Sequence, residues 1–288
     1  MDAAQPLWLI GASGQVGRFV AERLATAGRP FRAVTGSTPA PPGSRAAAWL
    51  VGDAADMTER FAATRAEAAI LTLGLWTVPP LLAPLAAGGV RRIVAVGSMA
   101  RHYRPGYSAA TDRLRTQLIE AVARIETQAR DLGLAVAIMQ PTEIYGGGRR
   151  SAIAQAARLI RRWGVFPVAR RAEGLRQPVH ADDIAATSIA AVDRVAPGVR
   201  SYPLGGSERL AFSEMIGRIF DALGRPRRLA RLPAPVLAAA TACLRLGDPG
   251  GVRRQADDLT ADNAAAAAAF GHAPCAFLPA GAGDLGLD

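Results

Sequence analysis

The sequence predicts an α/β protein built on a doubly wound parallel sheet, with a small lobe on its C-terminal side. Three observations carry that prediction. A four-residue apolar run, residues 7–10, ends in a glycine turn. Apolar residues behind the turn recur at helical spacing. Short strand-like runs then alternate with helical stretches through the first half of the 288 residues. Such alternation makes successive strands parallel, because strand, crossing helix and next strand return to one sheet with a single hand.

Taken in order, Leu7 to Ile10 is the first strand. Val16, Phe19, Val20 and Leu24 mark one face of the helix that follows, and Gly28 suits its C-terminal cap. Phe31 to Thr35 is the second strand, Pro39 to Gly43 a Pro/Gly loop, and Ala47 to Val51, Ala68 to Leu73 and Arg92 to Val96 are further strands. Asp112 to Arg130 reads as one long amphipathic helix carrying Leu114, Leu118, Val122, Ile125 and Ala129, and Leu134 to Met139 as a sixth strand. After Tyr145-Gly146-Gly147-Gly148 the texture changes to shorter helical patterns at residues 153–163, 184–192, 212–223 and 235–246, and Ala264 to Ala269 reads as a helix. The expected division is a core of residues 1–146 and a lobe of 147–288, with segments around 177–204 returning to the core.

Half of the residues are hydrophobic and a fifth are charged, the balance of a globular chain. The formal charge is +10, yet no lysine occurs, so all 34 basic side chains are arginines. That excludes Schiff-base catalysis and a P-loop lysine. The arginines fall in scattered pairs without an aromatic-interleaved stripe, which suits a solvated surface or an anionic small ligand and argues against nucleic acid. Cys243 and Cys275 lack any zinc-like spacing, so no metal is expected. The apolar stretch from Pro233 to Cys243 is too short to span a bilayer. Met1 to Leu9 lacks the features of a signal peptide, and the expected location is cytoplasmic.

In Gly11-Ala12-Ser13-Gly14-Gln15-Val16-Gly17, glycines permit a tight turn, close backbone approach to a pyrophosphate and close packing of helix on strand. The helix that opens here offers its N–H groups to phosphate. Because the motif follows a strand and begins a helix, it points to dinucleotide binding by Gly11, Ser13, Gly14, Gln15, Val16, Gly17 and Arg18.

The Gly-x-x-Gly-x-x-Gly spacing resembles that of the short-chain dehydrogenase/reductase superfamily, in its extended and atypical branch of NAD-dependent epimerase/dehydratase-like proteins. Further stretches fall in register: Val51-Gly52-Asp53, Thr72-Leu73-Gly74, Val94-Ala95-Val96-Gly97-Ser98, Gln140 to Gly146, and Gln177 to Ala185. The resemblance implies a Rossmann fold from residue 7 to about 224, an adenine contact at Asp53, and a ribose lined by Leu73 and Gly74. It also implies an active-site Ser98, a small-molecule substrate and, as an expectation, a homodimer through the long helix. For the cofactor, Val34-Thr35-Gly36-Ser37-Thr38 presents no acid to a ribose 2′-hydroxyl, and Arg18 is near; the expectation leans to NADP(H), with NAD(H) the alternative.

The family's catalytic tyrosine and the lysine four residues later are not both present. Taking Glu126 as the register mark puts that pair at Leu118 and Val122, both apolar. Ser98, Tyr103 and Glu143 are therefore the catalytic candidates. Tyr107 and His102 are weaker ones, Arg101 or Arg104 are possible modulators of a tyrosine, and Arg149 is a possible partner of Glu143. Asp182 or Asp183 is expected to cap the helix after His180. Glu143 would repel a substrate diphosphate. Two readings follow: an NAD(P)-dependent oxidoreductase or epimerase-like enzyme on a small carbonyl or hydroxyl compound, with unusual proton transfer, or a non-catalytic NAD(P)-binding sensor or scaffold.

Overall fold

The computed structural model describes residues 6–36, 46–148, 151–243 and 248–287. Its first half runs β1 (Leu7–Ile10), α1 (Gly17–Thr26), β2 (Phe31–Thr35), β3 (Ala48–Val51), α2 (Thr58–Ala63), β4 (Ala68–Leu71), α3 (Pro79–Ala87), β5 (Arg92–Val96), α4 (Ala109–Leu132) and β6 (Ala135–Pro141). The second half runs β7 (Ile144–Tyr145), α5 (Ala152–Trp163), β8 (Phe166–Ala169), β9 (Leu175–Arg176), β10 (Val179–His180), α6 (Ala181–Val192), β11 (Val199–Leu204) and β12 (Leu210–Ala211). It ends with α7 (Phe212–Ala222), β13 (Leu229–Leu232), α8 (Ala234–Cys243), α9 (Gly250–Arg254) and α10 (Ala264–Phe270).

Seven strands form one parallel sheet in the order β11-β6-β5-β4-β1-β2-β3. The chain winds outward in one direction through β3, then returns past β1 and proceeds the other way. The point where the order reverses, between β1 and β4, leaves a crevice at the carboxyl ends of the strands. The doubly wound fold predicted from the alternating pattern is what the chain adopts.

Strand side chains alternate between two cores, one on each face of the sheet. Trp8, Ile10, Val34, Leu71, Ile93 and Ile138 meet α2, α3 and α4. Leu7, Leu9, Phe31, Ile70, Val94 and Met139 meet α1, α6 and α10. With both faces covered, the strands are apolar runs with little polar alternation. On one face Trp8 packs edge-on to Phe61, ring centroids 5.0 Å apart. On the other, Arg23 of α1 pairs with Asp182 of α6 at 2.5 and 2.7 Å.

The long helix begins three residues before the predicted Asp112, because the Ser108 hydroxyl accepts from the Thr111 N–H at 3.1 Å and caps it there; Gly133, in the left-handed region at φ +64°, ends it. Of the stretch 235–246, α8 covers residues to Cys243, and the remainder lies outside the described residues, as do Pro39 to Gly43. The segment after Phe270 folds back onto the lobe. Phe277, Leu278 and Leu285 join Tyr145, Ile153, Ile216 and Phe220 in a third core.

Candidate functional site

The glycine turn closes on itself through Gly14 N–H donating to the Gly11 carbonyl at 2.9 Å, while Gly11 N–H and Ala12 N–H both donate to the Val34 carbonyl of β2. Gly11 lies at φ +92°, and a Cβ there would meet Thr72 Oγ1 at 2.7 Å. A Cβ on Gly17 would lie 2.1 Å from the Gly11 carbonyl oxygen. Backbone therefore crosses backbone at the amino end of α1, and only glycine fits. Thr72 locks the crossing, its hydroxyl donating to Gly11 O at 2.9 Å. Val16 is buried, Ser13 is exposed at the rim, and the first turn of α1 carries neither a side-chain cap nor an acid. An uncapped, acid-free helix start is electrostatically suited to an anion.

Gln15 and Arg18 reach across to the glycine segment after β7. Gln15 Nε2 donates to Gly146 O at 3.1 Å, and the Arg18 guanidinium lies where a Cβ on Gly147 would be. Arg18 also stacks over Phe19, 4.7 Å from its centroid. Leu73 packs on Gly11, and Trp76 covers Gly74 so closely that a Cβ would meet its ring at 2.6 Å. Asp53 Oδ1 accepts from Ala55 N–H at 2.9 Å, capping the short 3-10 turn Ala54–Met57. Ser37 and Thr38, which bear on the choice between NAD and NADP, lie outside the described residues.

Ser98, Tyr103 and Glu143 come together on the wall of one cavity of about 780 Å³, at the carboxyl ends of β5 and β6 and under the lobe. Ser98 and Tyr103 come from the connection between β5 and α4, and Glu143 from the one between β6 and β7. Ser98 Oγ accepts from Ala100 N–H at 3.1 Å, which leaves its O–H free to donate. Tyr103 is half-buried, and burial pushes its phenol up from the ordinary value, as does the Glu143 charge; Arg254 and Arg176 pull it back. The Glu143 carboxyl is likewise raised by burial, against Arg176 and Arg254.

Arg176 and Arg254 were not singled out from the sequence, yet they dominate the charge in the cavity. Arg176 is 4% exposed, donates through Nη1 to Leu175 O at 3.0 Å and Asp257 O at 2.7 Å, and through Nη2 to Arg254 O. Burial lowers its affinity for the proton, with Glu143 and Tyr103 opposing. Nothing local marks either arginine; Arg254 belongs to one of the scattered pairs. Only the fold brings them beside Glu143.

The other expectations sort as follows. Tyr107 donates its O–H to Asp257 Oδ2, with Arg104 over its ring at 5.2 Å, so that tyrosine is committed. His102 is exposed and bonded to Gln140 Oε1 at 3.1 Å. Arg149 lies outside the described residues, and the modulators of Tyr103 are Arg254 and Arg176, not Arg101 or Arg104. Neither aspartate caps α6: His180 does, Nδ1 accepting from Asp182 N–H at 3.2 Å, while Asp182 pairs with Arg23 and Asp183 accepts from Cys275. Leu118 and Val122 are sealed in the core, 2% and 4% exposed.

Among the described residues no group of three or more His, Cys, Asp or Glu side chains is placed to hold a metal, and no helix is long and apolar enough to cross a membrane.

The class so defined is a doubly wound α/β fold with a glycine turn at its crevice and an apolar-walled cavity beside it. Solved structures share this fold over nearly the whole chain. One is a nucleoside-diphosphate-sugar epimerase from Pseudomonas aeruginosa, 18% identical, covering 97% of this chain and 95% of that one with a TM-score of 0.73. A second is UDP-glucose 4-epimerase from Bifidobacterium longum in complex with NAD+ and UDP, 15% identical over 98% and 97%, TM-score 0.70. A third is TunA, an NAD-dependent NDP-hexosamine 5,6-dehydratase, 14% identical over 97% and 96%, TM-score 0.74. No protein-family model matches the chain, and no curated protein does. The likeness in fold to the epimerase/dehydratase branch, read from the motifs, is borne out.

Proposed function

We propose that the chain is an NAD(P)-dependent oxidoreductase or epimerase-like enzyme that acts on a small carbonyl or hydroxyl compound in the 780 Å³ cavity. The observation that carries this reading is the convergence of Ser98 and Tyr103, from the loop after β5, and Glu143, from the loop after β6, on one cavity at the carboxyl ends of the strands. The dinucleotide would be held by Gly11, Ser13, Gly14, Gln15, Val16, Gly17 and Arg18, with Asp53, Leu73 and Gly74 toward its adenosine and ribose. The uncapped start of α1 supports this, as does the closeness of the turn. NADP(H) is favoured over NAD(H) because Val34-Thr35-Gly36-Ser37-Thr38, at the end of the second strand, presents no acid to a ribose 2′-hydroxyl.

A bound nicotinamide supplies a hydride acceptor or donor; the proton chemistry belongs to the protein. Tyr103, protonated at neutral pH as an ordinary phenol is, delivers its proton to the substrate oxygen as the carbonyl carbon is reduced. Arg254 and Arg176 then stabilise the phenolate that remains. Ser98 donates a hydrogen bond to the same oxygen and orients it. In the reverse direction the Tyr103 phenolate takes the proton back from the substrate hydroxyl; Glu143 is the alternative group for the same exchange, donating in reduction and accepting in oxidation. No lysine is needed in this scheme, since the cations are arginines. A homodimer through α4, whose Ile119 stands 41% exposed, belongs to the same reading and is checked by sedimentation.

The second reading, a non-catalytic NAD(P) sensor, is favoured by the lack of any lysine for the usual pair. Titration of NADPH and NADH by fluorescence, followed by turnover against carbonyl compounds, separates the two. Turnover that falls at least tenfold in Tyr103→Phe supports the enzyme. Cofactor binding without turnover on any compound moves the assignment to the sensor, and absence of binding at millimolar cofactor overturns both.

A further inference from the structure

The cavity that holds Tyr103 and Glu143 joins an apolar body to a charged cluster. Its body is walled by Ile153, Leu159, Phe166, Phe212, Met215 and Ile219, contributed by α5, β8 and α7, with Leu237 of α8 closing the far side. Tyr103, Glu143, Arg176 and Arg254 form its charged cluster, within electrostatic reach of one another, with Ser98 on the same wall and Gln155 and Thr241 interrupting the apolar lining. A volume of several hundred cubic ångströms lined this way is the size that encloses a drug-sized ligand, whose apolar area drives binding while a few polar groups fix orientation.

Charge decides which ligand class fits. Among the described residues, the charged side chains lining the cavity are two arginines, Arg176 and Arg254, and two acids, Glu143 and Asp248. These four carry no net positive charge to offset the desolvation of a diphosphate. Both arginines are partly engaged within the protein. Arg176 is held by the carbonyls of Leu175, Asp257 and Arg254. Arg254 Nη1 donates to Thr111 Oγ1 and to Asp248 Oδ2. Glu143 adds direct repulsion toward any phosphate brought to the charged cluster.

From this arrangement we infer that the cavity takes an uncharged, predominantly apolar ketone, aldehyde or alcohol, its oxygen at Tyr103 and Ser98 and its hydrocarbon body between α5 and α7, and that it does not take a nucleoside diphosphate sugar. The inference rests on the cavity's being the substrate site of the proposed enzyme. It departs from the solved structures of the same fold that were crystallised with UDP-glucose or UDP.

The test uses the full-length protein, with 2-decanone and 2-decalone as apolar probes and UDP and UDP-glucose as polar ones. Each is titrated calorimetrically in the presence of saturating NADPH and again without it. Saturable binding of at least one ketone is expected, at least tenfold tighter than UDP-glucose. Leu159→Arg, which puts a cation into the apolar wall from a half-buried position, should weaken the ketone at least tenfold, and Leu159→Met should not. Should Leu159→Arg not fold, the wild-type comparison decides alone. UDP-glucose binding as tightly as the ketones, or no saturable ketone binding, overturns the inference even if NADPH binds. Ketone binding that persists while NADPH fails to bind leaves the cavity's ligand class intact and removes the dinucleotide reading instead.

Discussion

Arg254 Nη1 lies 2.6 Å from Thr111 Oγ1 and 3.1 Å from Asp248 Oδ2, so one guanidinium fastens α9 to the first turn of α4. The same side chain lines the cavity and biases both Glu143 and Tyr103. Structure and chemistry are therefore joined at this residue.

Replacing Arg254 by methionine keeps the length of the side chain and removes the charge. Hydrogen bonds to charged groups contribute about 1–3 kcal/mol, and a loss in that range is expected at pH 7. The loss depends on pH through Asp248. Burial alone would raise that carboxyl, but hydrogen bonds from Ser108, Gly250 N–H, Thr111 and Arg254 outweigh it and hold the group below its ordinary value. An acid depressed in the folded state contributes stability above its unfolded pKa, about 4, and loses it as pH falls through the folded value. The gap in Tm between wild type and Arg254→Met should accordingly narrow from pH 7 toward pH 3. Equal gaps at both pH values would show that Asp248 is not the linked group.

Glu143 has the opposite sign. Its carboxyl is raised by burial despite two arginines, so ionisation is less favourable in the folded chain than in the unfolded one. Stability is full below the unfolded pKa, about 4.3, and declines as pH rises from there to the folded value. Glu143→Gln removes that decline. Its Tm at pH 7 should exceed that of wild type, and the two should match near pH 4. Turnover in the alcohol-oxidising direction should fall at least tenfold in the same variant. A stabilised protein with less activity is the signature of a group kept for function; a destabilised Glu143→Gln would instead make the carboxylate a structural partner of Arg176 and Arg254.

The sheet and the glycine turn were legible because they depend on neighbours in sequence. Leu7 to Ile10 must be buried on both faces, and Gly11, Gly14 and Gly17 sit where strand meets helix. The charge around Glu143 was not legible, since Arg176 and Arg254 lie 33 and 111 residues further along and only the packing of β9 and α9 brings them near. The register set by Glu126 puts the expected tyrosine pair at Leu118 and Val122, which share the helical periodicity of the buried face. The cap of α6 was assigned to an aspartate, the usual residue there, whereas the His180 ring nitrogen accepts the bond and frees Asp182 for Arg23.

Two glycines with similar spacing signals should respond very differently to alanine. At Gly17 a Cβ meets the Gly11 carbonyl oxygen at 2.1 Å and Thr72 Oγ1 at 2.7 Å, and neither the turn nor β4 can yield without opening the crossing. Gly17→Ala should cost more than about 3 kcal/mol and abolish dinucleotide binding. At Gly28, φ is +65° but nothing lies within 4 Å of the added atom, so Gly28→Ala should cost only about 1 kcal/mol of backbone strain and leave binding unchanged. Thermal melts with and without NADPH measure both. Similar losses for the two would mean that the turn is looser than its contacts indicate.

The chain end is anchored through Tyr145, whose O–H donates to Ala276 O at 3.0 Å and accepts from Leu278 N–H at 3.2 Å while its ring packs edge-on to Phe277. Asp284 extends the same anchor to His180 Nε2, 3.5 Å away, and so to the head of α6. Phe277, 6% exposed, fills the lobe's core, and Phe277→Ala should cost about 3–5 kcal/mol as a buried aromatic truncation. Tyr145→Phe keeps the ring and deletes both hydrogen bonds, for about 1–3 kcal/mol. Because both changes release the same segment, the double variant should lose less than the two single losses combined. Hydrogen exchange provides the local readout: in Tyr145→Phe the Leu278 amide should exchange faster while amides of β5 and β6 keep their protection. If the sheet amides accelerate equally, the tail is part of one cooperative unit with the Rossmann core, not a clasp that can open by itself.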